Sequence, residues 1–220
     1  MKRHYSGQLA GLRELVLRMG GLVEQMTRRV VRALVERNID LLPEVRSMET
    51  QVNLLHLEID EACLELIALR QPAAADLRFI AAAMKIIVDM ERIGDQGINI
   101  CERTESLLAV PTLKPLIDIP RMADIAQEML KASLDAFVTG DDELAYATIL
   151  KDDEVDQLKE QVFRELLTFM MSDPTTIPRA MDLILVSRHL ERIADHATNI
   201  CEDVIFMVKG KDVRHQGPLA

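Results

Sequence analysis

The chain has 220 residues and no Trp, and aromatic side chains make up only 3% of it. Stacking platforms for bases and ring-filled β-sandwich cores are therefore poorly provided for. Leu, Ile, Val, Ala and Met must fill the interior, which favours helix packed on helix. Cysteine is scarce as well. Cys63, Cys101 and Cys201 are odd in number, lack any CxxC spacing and sit in helical apolar patterns. They read as buried reduced thiols in a cytoplasmic protein. Basic residues are outnumbered, 26 against 36 acidic, for a net charge of −10. A body of that sign repels phosphate backbones and argues against direct nucleic-acid binding. No apolar run approaches the ~18–20 residues of a membrane span, and the N-terminus carries no secretory signature, so membranes are met only through partner proteins. Also missing are GxSxG, a phosphate-cradling glycine loop and a Ser–His–Asp arrangement.

What is present is apolar and periodic. Hydrophobic residues make up 49% of the chain, enough for a substantial core. Six helices are predicted, over residues 6–37, 41–69, 73–108, 120–139, 141–171 and 175–209. Breaks fall at Gln71-Pro72, at Gly140-Asp141-Asp142 and at Asp173-Pro174, where turn chemistry interrupts the helical pattern. Pro111, Pro115 and Pro120 mark the middle as a linker. The expected fold is all-α: two tandem antiparallel three-helix bundles related by internal duplication. The first spans 1–110 and the second 120–210, with a linker at 111–119 and a frayed tail at 211–220. Gly20-Gly21 inside the first helix marks a kink or a close helix contact, and Met170-Met171 reads as core.

The duplication is written out in one motif. Residues 91–102, Glu-Arg-Ile-Gly-Asp-Gln-Gly-Ile-Asn-Ile-Cys-Glu, return at 191–202 as Glu-Arg-Ile-Ala-Asp-His-Ala-Thr-Asn-Ile-Cys-Glu, with eight of twelve positions identical. Each copy carries two carboxylates four residues apart, Glu91/Asp95 and Glu191/Asp195, a spacing that puts both on one side of a helix. The fifth helix adds Asp152 and Asp156. Aligning Val52 with Val155 places Glu49 and Asn53 at the corresponding positions of the first repeat.

Hairpin geometry connects these pairs. The 49–53 and 91–95 pairs each lie 21 residues from Pro72, and the 152–156 and 191–195 pairs lie 20 and 19 from Pro174. At ~1.5 Å per residue, each antiparallel hairpin brings its two pairs to one level ~30 Å from its turn. On the third helix, Phe79, Ala83, Ile86, Met90, Ile93 and Ile100 share one direction, Glu91 and Asp95 sit at its border, and Arg78, Lys85, Asp89 and Gln96 lie opposite. The acids are thus placed in a groove between helices rather than in a buried active site.

Such clusters need a cation or an arginine to neutralise them. Oxygen donors suit Mg²⁺, Mn²⁺ or iron more than a closed zinc site, while the same spacing also suits surface ion pairs to Arg92 and Arg192. The second cluster is fully acidic. In the first, Asn53 offers only a neutral carbonyl. His196 has Gln96 as its counterpart and reads as solvent-facing. Asn99 and Asn199 stand one turn on, as outer supports or cross-helix bonds. A di-metal oxidase would need Glu-x-x-His, and no Glu precedes a His by three.

Several ordered segments carry a family resemblance: Met19-Gly20-Gly21, Val52-Asn53, Ile59-Asp60-Glu61-Ala62-Cys63, Arg70-Gln71-Pro72, Asp76-Leu77-Arg78, both Glu-Arg-Ile-x-Asp blocks and Thr176-Ile177-Pro178. Over essentially its whole length the chain resembles the phosphate-specific transport system accessory proteins, the PhoU family. The resemblance implies two three-helix bundles with metal clusters in some members, carried here by Asp152, Asp156, Glu191, Asp195, Glu91, Asp95, Glu49 and, in place of an acid, Asn53. The ions that the resemblance implies are divalent or transition metals, Mg, Mn, Fe or Zn, with the identity left open. It further implies a non-enzymatic negative regulator of the phosphate-starvation regulon, typically a homodimer, linking the ATPase subunit of the phosphate ABC transporter to the PhoR sensor histidine kinase. Ala194 replaces the usual Gly of the motif. A helical interaction module without metal is the alternative.

Overall fold

The computed structural model describes residues 2–70 and 72–211. The expected frayed tail, beyond Lys211, lies outside the described residues. The elements are α1 (Lys2–Glu36), a 3-10 turn (Ile39–Leu41), α2 (Leu42–Arg70), α3 (Ala74–Leu108), α4 (Asp118–Thr139), α5 (Asp142–Ile149), α6 (Asp152–Ser172), a second 3-10 turn (Pro174–Thr176) and α7 (Ile177–Lys209). No strand occurs among the described residues. Helices α1, α2 and α3 pack together as one bundle, α4 with α5, α6 and α7 as the other, and the broadest contact in the molecule joins α3 to α7 across the two. The three cysteines are buried thiols.

The fifth predicted helix is two. Around Leu150 the ladder tightens: Lys151 N–H bonds Thr148 O at 3.0 Å, and Glu154 N–H bonds Lys151 O at 3.0 Å. Asp152, Asp153 and Glu154 then form the first turn of α6, where carboxylates meet the positive end of the helix dipole. No Gly or Pro announces this break, so apolar periodicity runs through it. Asp152 thereby stands at a helix start rather than mid-helix. Met170 is partly buried against the core, but Met171 is 78% exposed. It lies in the last turn of α6, where no helix covers it.

Duplication extends to the caps. Helix α1 ends with Arg37 in the left-handed region (φ 54°), and Asn38 N–H bonds Ala33 O at 2.9 Å. Helix α4 ends with Gly140 at φ 68°, and Asp141 N–H bonds Ala136 O at 3.0 Å. Both are Schellman-type stops, which favour glycine. Arg37 holds its place because its guanidinium donates to the carbonyls of Leu108 (2.9 Å) and Val110 (2.8 Å), with longer bonds to Leu107 O and Thr112 Oγ1. It thus closes the end of α3 and the start of the linker. Arg37→Ala loses these bonds and keeps the strained backbone. It is expected to cost about 2 kcal/mol, and Arg37→Gly about 1 kcal/mol less, read from urea denaturation midpoints.

Gly20 marks a close approach of α1 and α4: a Cβ there would fall 2.4 Å from Leu134 Cδ1. Gly94 and Gly97 are different. Added Cβ atoms would meet only Val52 Cγ1 at 3.6 Å and Met26 at 3.5 Å or more, and α7 carries the fully buried Ala194 and Ala197 at the equivalent places. Gly94→Ala and Gly97→Ala are each expected to stabilise by about 0.5–1 kcal/mol, seen as a raised thermal midpoint.

Candidate functional site

The start of α6 and the middle of α7 bring the second acidic set together. Asp152 lies within electrostatic reach of Asp195, Asp156 and Glu191. Burial first, and then these charges, push its carboxyl up to about 6. Asp195 is pushed upward as well, by burial and by Glu191 and Asp156. The cluster carries its own counter-ion. Lys159, one turn beyond Asp156, places Nζ 2.7 Å from Asp156 Oδ1 and 2.7 Å from Glu191 Oε1. Burial would lower the Lys159 pKa, but the two hydrogen bonds and the adjacent charges outweigh it and hold the ammonium charged. The neutralising cation is this lysine, not the motif arginine at 192.

The first set is looser. Asn53 Nδ2 donates to Glu49 on α2. On α3, Arg92 pairs with Asp95 at 3.2 Å. Within this set, α2 reaches α3 through His56 Nδ1 and Glu91 Oε2, 3.7 Å apart. With Val52 matched to Val155, His56 is the counterpart of Lys159. The two repeats therefore use the same position to bridge to the motif glutamate, one with a permanent cation and one with an imidazole. Among the described residues, no three His, Cys, Asp or Glu side chains are arranged around one ion position.

Helices α3 and α7 run antiparallel. Arg78 bonds Met207 O, Lys85 pairs with Asp203, Gln96 meets His189, and Arg103 pairs with Asp182. These pairings place residue 93 opposite residue 193, so the two copies of the motif face each other across an approximate two-fold axis. The groove between them has a cavity of about 760 Å³, lined by Glu49, Arg92, Asp95, Asn99, Arg192, Asp195 and Asn199 among others.

The polar side of α3 was expected to face away from the core, and its role is a finding of the structure. It is the inter-repeat interface. His196 is not solvent-facing: its Nδ1 lies 2.8 Å from Asp89 Oδ1, which also accepts from Asn199 Nδ2 at 3.1 Å. The symmetry-equivalent contact joins His189 Nδ1 to Gln96 Oε1 at 2.8 Å. Burial, then the charges of Arg192, Arg103 and Arg188, lower His189 to about 4, so it is a neutral donor at physiological pH. The differences between motif copies, Gln96 against His196, were the available signal. Each is complementary to its partner, Gln96 to His189 and His196 to Asp89. Asn199 forms the cross-helix bond anticipated for the motif asparagines.

The PhoU domain family model matches residues 16–104 and again 119–204. This chain belongs to the PhoU family. It is 38% identical to the phosphate-specific transport system accessory protein PhoU homolog of Pseudomonas putida, over 99% of this chain and 85% of that one. It is 37% identical to the accessory protein PhoU of Escherichia coli K12, over 99% and 92%. The crystal structure of PhoU from Pseudomonas aeruginosa superposes with a TM-score of 0.90 at 38% identity, covering 94% of this chain and all of that one. The phosphate transport system regulatory protein PhoU from Streptococcus pneumoniae superposes at 0.87 with 26% identity, covering 95% and 99%. Both PhoU matches contain one motif copy and one acidic set, so the two clusters are the same site drawn twice. No helix among the described residues is long and apolar enough to cross a membrane.

Proposed function

We propose that this PhoU-family chain is a cytoplasmic, non-enzymatic negative regulator of the phosphate-starvation regulon that restrains phosphate uptake. It couples the ATPase subunit of the phosphate ABC transporter to the PhoR sensor histidine kinase. The observation that carries the reading is the whole-length match of both repeats to phosphate transport accessory proteins. Its test is deletion of the gene in the host and assay of alkaline phosphatase in high phosphate. Derepression is the expected result; continued repression would sink the assignment.

The acidic sets supply the metal-binding part of the reading. Asp152, Asp156, Glu191 and Asp195 would hold a divalent ion, with Glu91, Asp95, Glu49 and the Asn53 carbonyl as a weaker second set. Their all-oxygen donors fit Mg²⁺, Mn²⁺ or iron better than zinc. When bound, the ion supplies positive charge that joins α6 to α7. Lys159 does this in its own right, so an ion must compete with it. Protein purified without chelator should carry metal, or gain thermal stability on addition of Mn²⁺ or Mg²⁺. Absence of both effects would leave a metal-free helical adaptor. The homodimer is part of the same proposal, with sedimentation equilibrium as its check.

A further inference from the structure

Helix α2 is apolar on two faces. Val52, Leu55, Ile59, Cys63 and Leu66 turn inward and are buried. On the outside, Leu54, Leu57 and Leu64 are 62%, 68% and 53% exposed. At 100° per residue these three fall within one 80° arc, a stripe ~15 Å long. Folding does not require it. The second repeat supplies the comparison: matching Val52 to Val155 puts Gln157 at the place of Leu54 and Glu160 at that of Leu57, and keeps a leucine, Leu167, only at that of Leu64, on a helix that packs in the same way. Three leucines held in water along one helix ridge mark a contact surface rather than a core.

The charge beside the stripe selects the occupant. Glu58, Glu61 and Glu65 run along it, and from residue 51 to residue 69 the helix has no Lys or Arg. None of the three forms an ion pair among the described residues. Their counterparts on α6 are Gln161, Arg164 and Thr168, so the acidic edge, like Leu54 and Leu57, belongs to α2 alone. A second copy of this face would bring like charges together, and an anionic membrane would be repelled. A helix with an apolar ridge flanked by Lys or Arg satisfies both features at once.

We propose that the outer face of α2 is the docking surface for a basic amphipathic helix of a partner protein, with Leu54, Leu57 and Leu64 as the apolar anchors and Glu58, Glu61 and Glu65 as the selecting charges. This gives the adaptor reading a surface. Binding in solution is measured separately from repression in the host, so each can fail alone.

The test uses the full chain and two fluorescent 18-residue helical peptides, one of Leu and Lys and one of Leu and Glu, followed by anisotropy at 0.15 M salt. The Leu/Lys peptide is expected to bind at least tenfold tighter than the Leu/Glu peptide. Leu54→Gln with Leu57→Glu, the residues of α6, should weaken it at least tenfold, although attraction by net charge alone would strengthen it. Glu58→Lys with Glu61→Lys and Glu65→Lys should reverse the peptide preference. Unchanged affinity in the leucine variant would overturn the proposal. So would loss of self-association in that variant by sedimentation velocity, because the face would then be an interface between copies.

Discussion

Replacing Lys159 with Met is expected to lower stability by about 2 kcal/mol at pH 8, with most of the loss recovered at pH 5 or in millimolar Mn²⁺. The Met side chain keeps the aliphatic packing and removes the ammonium that lies 2.7 Å from both Asp156 and Glu191. With its partner gone, a set of four carboxylates, of which Asp152 and Glu191 are partly buried, is left to repel itself. The sign with pH follows from Asp152. Its folded-state pKa of about 6 lies above the ~3.9 of an unfolded aspartate, so the folded state holds the proton more tightly. The stability this supplies is full below about pH 4 and is lost as pH rises through 6. Loss of Lys159 strengthens that dependence. Chemical denaturation at pH 5, 6, 7 and 8, with and without Mn²⁺, reads all of it. A flat pH profile in the variant would mean that the four acids are not electrostatically coupled. If Mn²⁺ rescued an Asp152→Asn, Glu191→Gln version of the variant equally well, the ion would be acting elsewhere.

Phe137→Ala is expected to cost about 3–5 kcal/mol and to lower the melting of the whole chain as one transition. Phe137 on α4 is fully buried, and its ring stacks on that of Phe79 on α3, with centroids 5.2 Å apart and planes 13° from parallel. The Arg13 guanidinium from α1 lies 5.0 Å from the centre of the Phe79 ring. Three helices from two repeats therefore meet at this stack. Truncation leaves a cavity between repeats rather than inside one of them. Phe137→Leu, which keeps most of the volume, should cost about 1 kcal/mol. Calorimetry separates the outcomes: a lowered single peak is expected, whereas two resolved peaks would show that the repeats fold as independent units joined only by the linker.

Much of the architecture was legible because its signals are local. Period-3.6 apolar patterns fixed the long helices, Pro72 and Pro174 fixed the hairpin turns, and counting from those turns brought Asp152 and Asp156 to the level of Glu191 and Asp195. The counter-ion escaped because a lysine near acids on a helix is common, and only the approach of Lys159 to Glu191 on a different helix distinguishes it. The break between α5 and α6 escaped because acids at a helix start leave the apolar period intact. The α3–α7 interface escaped for a deeper reason. A polar helix face is read as facing solvent, but Asp89, Gln96, His189 and His196 satisfy one another. Complementarity between residues about one hundred positions apart leaves no trace in either local pattern.

The antiparallel crossing of α3 and α7 at the repeated motif has a consequence for symmetry. Residue 93 opposite residue 193 is the geometry of an isologous interface, the kind that joins two identical subunits about a dyad. In a true dimer every change near the dyad appears twice, and both halves remain alike. Two repeats in one chain are free of that constraint. One half holds a fully acidic set bridged by the fixed charge of Lys159, while the other holds Asn53 and the imidazole of His56. A single polypeptide thus presents two related but unequal electrostatic faces, an asymmetry closed to any symmetric pair of identical half-length chains.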